Sequence, residues 1–137
     1  MCLGVFIASD HPLPRVPWSE GQPAFHAAPL AERDEPVRRQ FARAHVASLG
    51  AHTGCGCGFS PEQEWDAAAR RRSVAALAAY VAEAARAGPV ELFVCWRDAA
   101  EYVAAPERRL RLAPGELAER DDWTAERSLV EIQPPAS

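Results

Sequence analysis

His52, Cys55 and Cys57 stand in the stretch "GAHTGCGCGFSPEQEW", residues 50–65. Thiolates and imidazoles are ligands for soft metal ions. A thiolate beside a base is also an attacking nucleophile. Four glycines share positions 50–58 with these side chains, so the backbone there can turn sharply and let a ligand approach closely. The three donors are one short of a closed tetrahedral zinc site. Soft thiolates with one imidazole point to Zn or Cu(I) as the cofactor. The spacing is not the C-x-x-C of a zinc ribbon. Nor is "GCGCG" a phosphate loop, because the Lys-Ser/Thr end is missing.

Three readings stand open for this loop. In the first it is a metal centre of His52, Cys55 and Cys57, with Cys95 as the fourth ligand, or Cys2 if strand 2–8 runs antiparallel to strand 45–50. In the second it does thiol chemistry, with Cys57 and Cys55 as the reactive thiols and His52 as base. Cys57 lies three residues before Ser60, a candidate helix N-cap. A helix N-terminus favours the thiolate, so Cys57 is expected to ionise more easily than an ordinary thiol. In the third the loop is a tight turn holding small buried thiols, in an interaction or accessory domain without chemistry.

Cys2 carries a separate reading. Removal of the initiator Met would leave an N-terminal cysteine whose own amine serves as base. The opening "MCLGV" resembles the "MCGI" start of glutamine amidotransferases. It departs from that pattern at Leu3, and the resemblance covers only these few residues. It implies a hydrolase-like enzyme with Cys2 as nucleophile.

The elements that must position these residues follow from patterning. Residues 2–8, "CLGVFIA", are apolar on both faces, as a central covered strand would be. The stretch "SDHPLPRVPWSEGQP" holds four prolines in fifteen residues and reads as a loop. Short strands are expected at 24–30 and 45–50, with a short helix over 33–44 between them. Ser60, Pro61 and Gln63 form a capping-box start. Val74, Leu77, Val81 and Ala84 share one helical face, and Gly88-Pro89 ends the run. These signs predict one long helix over about 61–87. Residues 89–97, 109–113 and 128–133 read as strands. The fold class is therefore α/β or α+β, a single domain with a mixed sheet of four to six strands and one long helix packed across it.

Strand 45–50, the long helix and strand 89–97 have the order of a βαβ unit with parallel strands. The cysteine loop and Cys95 then share the carboxyl edge of the sheet, where ligands bind in such sheets. This predicts that Cys95, rather than Cys2, lies nearer the loop. Asp10 and His11 reach the same edge only if the first strand is parallel to the others, which excludes Cys2. His26 and His45 read as structural. Trp18 is a candidate lid, Trp65 a candidate support beneath the loop, and Arg70–Arg72 a candidate anion contact.

Composition excludes several classes. The 15 basic residues are all Arg, which rules out a catalytic Lys, a Schiff base and a P-loop Lys. The net charge of −4 argues against nucleic acid. No apolar run approaches the ~20 residues of a membrane span. A small molecule or a protein is left as the partner. Four cysteines with no signal-like leader point to the cytoplasm, and to metal, thiol chemistry or burial rather than a disulfide scaffold.

Overall fold

The computed structural model describes residues 2–19 and 24–134. Part of the proline-rich loop and the last three residues of the "PPAS" tail lie outside these residues. Six strands form one mixed sheet: β1 (Leu3–Ser9), β2 (Phe25–Pro29), β3 (His45–Ala51), β4 (Val90–Trp96), β5 (Arg108–Leu112) and β6 (Ser128–Ile132). Their order is β2-β3-β1-β4-β6-β5. Only β5 and β6 pair in parallel; every other pair is antiparallel. The long helix α1 (Ala67–Ala85) crosses one face. The result is the expected mixed sheet with one long helix, an α+β fold.

Apolar residues on both sides of β1 explain its central place. All seven of its residues are buried, which requires cover on both faces. Leu3, Val5 and Ile7 join Leu49, Leu92, Val94 and Val130 in the larger core, against Val74, Leu77 and Val81 of α1. Phe6 and Ala8 face the other way. They pack with Phe93, Cys95 and Leu129 against Val37, from the 3-10 segment Glu32–Gln40, and Tyr102 of α2 (Ala99–Tyr102). Among the described residues no helix is long and apolar enough to cross a membrane.

Two expectations need correction. β3 and β4 do run parallel to each other, since each is antiparallel to β1. They are not neighbours, because β1 lies between them. The crossover fixed their direction but not their adjacency. The helix also starts later than its capping signature suggests. The Ser60 carbonyl accepts from the amides of Gln63 (3.2 Å) and Glu64 (2.9 Å), while its hydroxyl accepts from the Glu62 amide at 3.2 Å. This closes a separate turn. Asp66 is the true N-cap, its Oδ1 accepting from the Ala69 amide at 3.0 Å.

A cap prediction follows. Asp66→Ala lowers the thermal midpoint more than Ser60→Ala does, because only the former strips a helix donor of its partner. The Ala69 amide holds the Asp66 carboxyl below the usual range, against the opposing effect of burial. A depressed folded-state pKa contributes stability above the unfolded value, which is lost as pH falls through the folded one. The gap between wild type and Asp66→Ala should therefore close in acid. Thermal melts followed by helical circular dichroism at neutral and acid pH check both points; a larger effect from Ser60→Ala would refute the assignment.

Candidate thiol centre

Because β1 is antiparallel to β3 and β4, its start meets their ends at one edge of the sheet. Cys2 precedes β1 there, and the cysteine loop leaves β3 there. The loop doubles back at once. The Gly54 amide donates to Ala51 O and the Ala51 amide to Cys55 O, both at 2.9 Å. Gly54 sits at φ +86°, a left-handed conformation that glycine takes without strain. A 3-10 turn over Gly56–Phe59 follows. Phe59 is fully buried, tilted against Trp123 and Phe25 at ring-centroid distances of 6.3 and 6.4 Å. It pins the loop to the core.

The outcome is a cluster of three thiols. One sulfur each from Cys2, Cys55 and Cys57 lies within 4.8 Å of the others. Cys2 is exposed, and the other two are half-buried. The Leu3 amide donates to Cys57 Sγ at 3.2 Å, which ties the loop to β1. Thr53 Oγ1 lies 3.8 Å from Cys55 Sγ and accepts from the Gly58 amide at 3.2 Å.

The electrostatics of the two loop cysteines diverge. Burial raises the Cys55 pKa. Hydrogen bonds from the Cys57 amide, the Cys57 and Cys2 thiols and the Thr53 hydroxyl outweigh it, so Cys55 ends below an ordinary thiol. Cys57 ends above, raised by burial and by Cys55 beside it despite the Leu3 amide. The sequence expectation had Cys57 as the easily ionised thiol. It fails because α1 begins only at Ala67, so no helix N-terminus stands at Cys57. The donors that count are loop amides and neighbouring thiols instead.

His52 lies in the loop but turns away from the sulfurs. Its amide donates to Ser73 Oγ at 3.1 Å, its Nδ1 lies 2.7 Å from the same oxygen, and its Nε2 lies 2.7 Å from Glu64 Oε2. Since Ser73 Oγ accepts the amide proton, its own O–H serves Nδ1. Nε2–H then donates to Glu64, a tautomer assigned from the network. A Ser–His–Glu chain invites comparison with a catalytic triad. Ser73 is completely buried on α1, however, so no substrate reaches it. His52 acts as a strut: a Cβ at Gly58 would come within 3.1 Å of its Cε1. The Asp66 amide, first, and His52 hold the Glu64 carboxyl below the usual range.

Cys95 does not join the cluster. It faces the opposite core with Phe6 and Phe93 and is fully buried. Burial, then the charge of Glu101, pushes its pKa up to about 12. The prediction that Cys95 would be nearer the loop than Cys2 is therefore overturned. The inserted β1 brings Cys2, the residue before it, to the loop in place of Cys95. Asp10 and His11 follow the far end of β1, where Asp10 pairs with Arg43 at 2.6 Å. Trp65 is 92% exposed, so the support beneath the loop is Phe59 instead. Trp18 is exposed as well. Arg70 pairs with Asp121 at 3.2 Å. His26 is structural as expected, its ring filling the space where a Cβ at Gly50 would stand. His45 opens β3 at the far edge. Thr53, Glu64 and Ser73 were not foreseen; only the proximity of Thr53 and Glu64 to the cysteines in sequence could have signalled them. Comparison with protein-family models, with curated proteins and with solved structures finds no match to this chain.

Proposed function

We propose that Cys2, Cys55 and Cys57 form a binding site for a soft metal ion, Zn²⁺ or Cu(I). The carrying observation is that their sulfurs lie within 4.8 Å of one another. Zinc at ~2.3 Å from each sulfur requires sulfurs roughly 3.8–4.0 Å apart, so the cluster need close by at most about an ångström. The donor set is three thiols with no imidazole, since both His52 nitrogens are engaged. Such a set suits soft ions over Mg²⁺ or Ca²⁺. Three thiolates complete a trigonal Cu(I) site and leave one position open on Zn²⁺. Binding must displace the thiol protons, and Cys55 yields its proton more readily than Cys57.

The test is titration of reduced, chelator-treated protein with Zn²⁺, and with Cu(I) under anaerobic conditions. One ion per chain is expected, with release of protons. Cys2→Ser, Cys55→Ser and Cys57→Ser should each weaken binding by at least about 100-fold, while Cys95→Ser and His52→Gln leave the ligand set intact. Weak binding equal to that of a two-thiol peptide would overturn the proposal. So would loss of binding in Cys95→Ser with its fold intact.

A second reading rests on the depressed Cys55 pKa beside two further thiols. Here the Cys55 thiolate attacks a substrate disulfide and releases one substrate thiolate. A neighbouring thiol then attacks the mixed disulfide at Cys55, loses its proton and releases the second, so the substrate is reduced and a disulfide forms within the cluster. Alkylation of metal-free protein at pH values below the ordinary thiol range should label Cys55 first. Labelling no faster than a model peptide thiol would exclude this reading and leave the metal reading standing.

A further inference from the structure

Beside the thiols lies a cleft of about 410 Å³, within the range of small-molecule sites. It shares two walls with the cluster. Leu3 lines the cleft and donates its amide to Cys57 Sγ at 3.2 Å. Ser60 lines it too, and its amide donates to Cys57 O at 3.1 Å. Leu3 and Trp96 are cross-strand partners at the ends of β1 and β4, and both line the cleft. They give it an apolar and aromatic wall.

The other walls are charged, with one sign in excess. Glu62, Asp121, Asp122 and Glu126 line the cleft against a single Arg108. Glu126 is held in place: its Oε2 accepts from the Trp96 indole Nε1–H at 2.8 Å. A carboxylate is thus fixed at the edge of an indole. Asp121, Asp122 and Glu126 are offset by Arg70, Arg120 and Arg127, at 3.2, 2.5 and 3.9 Å. Glu62 forms no ion pair among the described residues, so its charge is not cancelled. An aromatic ring beside carboxylates, one of them held in place, is a pairing that recognises ammonium and guanidinium groups.

We infer that this cleft binds a small organic cation, an amine or a guanidinium, against Trp96, Glu62 and Glu126, and presents it to the thiol centre. The binding half stands on the cleft alone. The presentation half rests on the reading of the thiols as a functional centre.

The test has two arms, both on the reduced, chelator-treated full chain. In the first, agmatine and butyrate are titrated into labelled protein while the Trp96 indole N–H resonance is followed. Agmatine should give a saturable shift, weakened at least about fivefold by Glu62→Gln with Glu126→Gln. Butyrate should give none. In the second, the thiols react with maleimides bearing a trimethylammonium or a sulfonate group, each rate normalised to a peptide thiol. The cationic reagent should lead by about tenfold at low ionic strength, falling as salt is added. The exposed Glu62→Gln change alone should reduce that lead. Glu83→Gln, beside Ser9 and His11 at the far edge, should not.

No saturable agmatine shift, or an equal response to butyrate, overturns the binding half. Agmatine binding without a cationic preference at the thiols overturns the presentation half. A loss as large in Glu83→Gln would mean that the field of the whole molecule, not the cleft, sets the preference, and would also overturn presentation. Zn²⁺ titration is read separately, so a chain that binds agmatine but no metal refutes only the metal reading.

Discussion

Replacing Asp34 with Ala is expected to cost about 3 kcal/mol of folding stability, toward the lower end for breaking a buried ion pair. Asp34 is 1% exposed in the second core. Its carboxylate accepts from Arg97 at 3.1 Å and from the Tyr102 hydroxyl. Arg97 also donates to Ser48 at 2.9 Å, and its guanidinium lies 5.7 Å from the centre of the Phe6 ring. Removing the carboxylate leaves a guanidinium that is only 16% exposed without its counter-charge. The same arginine ties down the thiol edge, because its amide donates to Cys2 O at 2.9 Å. Burial, followed by the bond to Asp34, raises the Tyr102 pKa, so the hydroxyl stays protonated and keeps donating. Urea unfolding of Asp34→Ala and of Asp34→Ala with Arg97→Met measures this. The double variant should recover part of the loss, since an uncompensated charge is the main penalty. A loss under ~1 kcal/mol in the single variant would show that water screens the pair.

Gly56→Ala is expected to weaken metal binding by about 10- to 100-fold, with a smaller loss of stability of ~1–3 kcal/mol. A Cβ at Gly56 would stand 2.7 Å from the Leu3 carbonyl oxygen, 2.9 Å from Val5 Cγ2 and 3.2 Å from the Val5 amide. Two of these are backbone atoms of the central strand, Leu3 paired with β4 and Val5 with both β3 and β4, so they yield little. The loop must lift instead. That breaks the bond from the Leu3 amide to Cys57 Sγ and spreads the sulfurs. A site held 1 Å too loosely loses most of its advantage. Gly115→Ala is the control, since nothing lies within 4 Å of a Cβ there. Zn²⁺ competition with a coloured chelator reads the affinity. Unchanged affinity in a folded Gly56→Ala protein would show that the loop closes on the metal without the β1 contact.

Much of the secondary structure is written in local pattern. The two-faced apolar run of β1, the strands at 45–51 and 90–96, and the helical face of Val74, Leu77 and Val81 follow from periodicities of two and of 3.6 residues. The glycine-framed cysteines likewise mark the loop as a candidate site from sequence alone. The start of α1 was less legible, because Ser60 and Asp66 are both good caps. What chose between them was the engagement of Ser60 and Glu64 in a turn against His52.

What only the tertiary structure decided is which thiols meet. A crossover helix fixes the relative direction of two strands, but nothing local says whether a third strand lies between them. β1, apolar on both faces, took that place and is buried along its whole length. Its antiparallel pairing carried Cys2 to the loop, while side-chain alternation turned Cys95 to the opposite face. Packing of α1 on the sheet set His52 against Ser73, and the fold placed Asp34 against Arg97, sixty-three residues away. Local sequence fixes the donors a chain carries. The order of strands fixes which of them share one point in space.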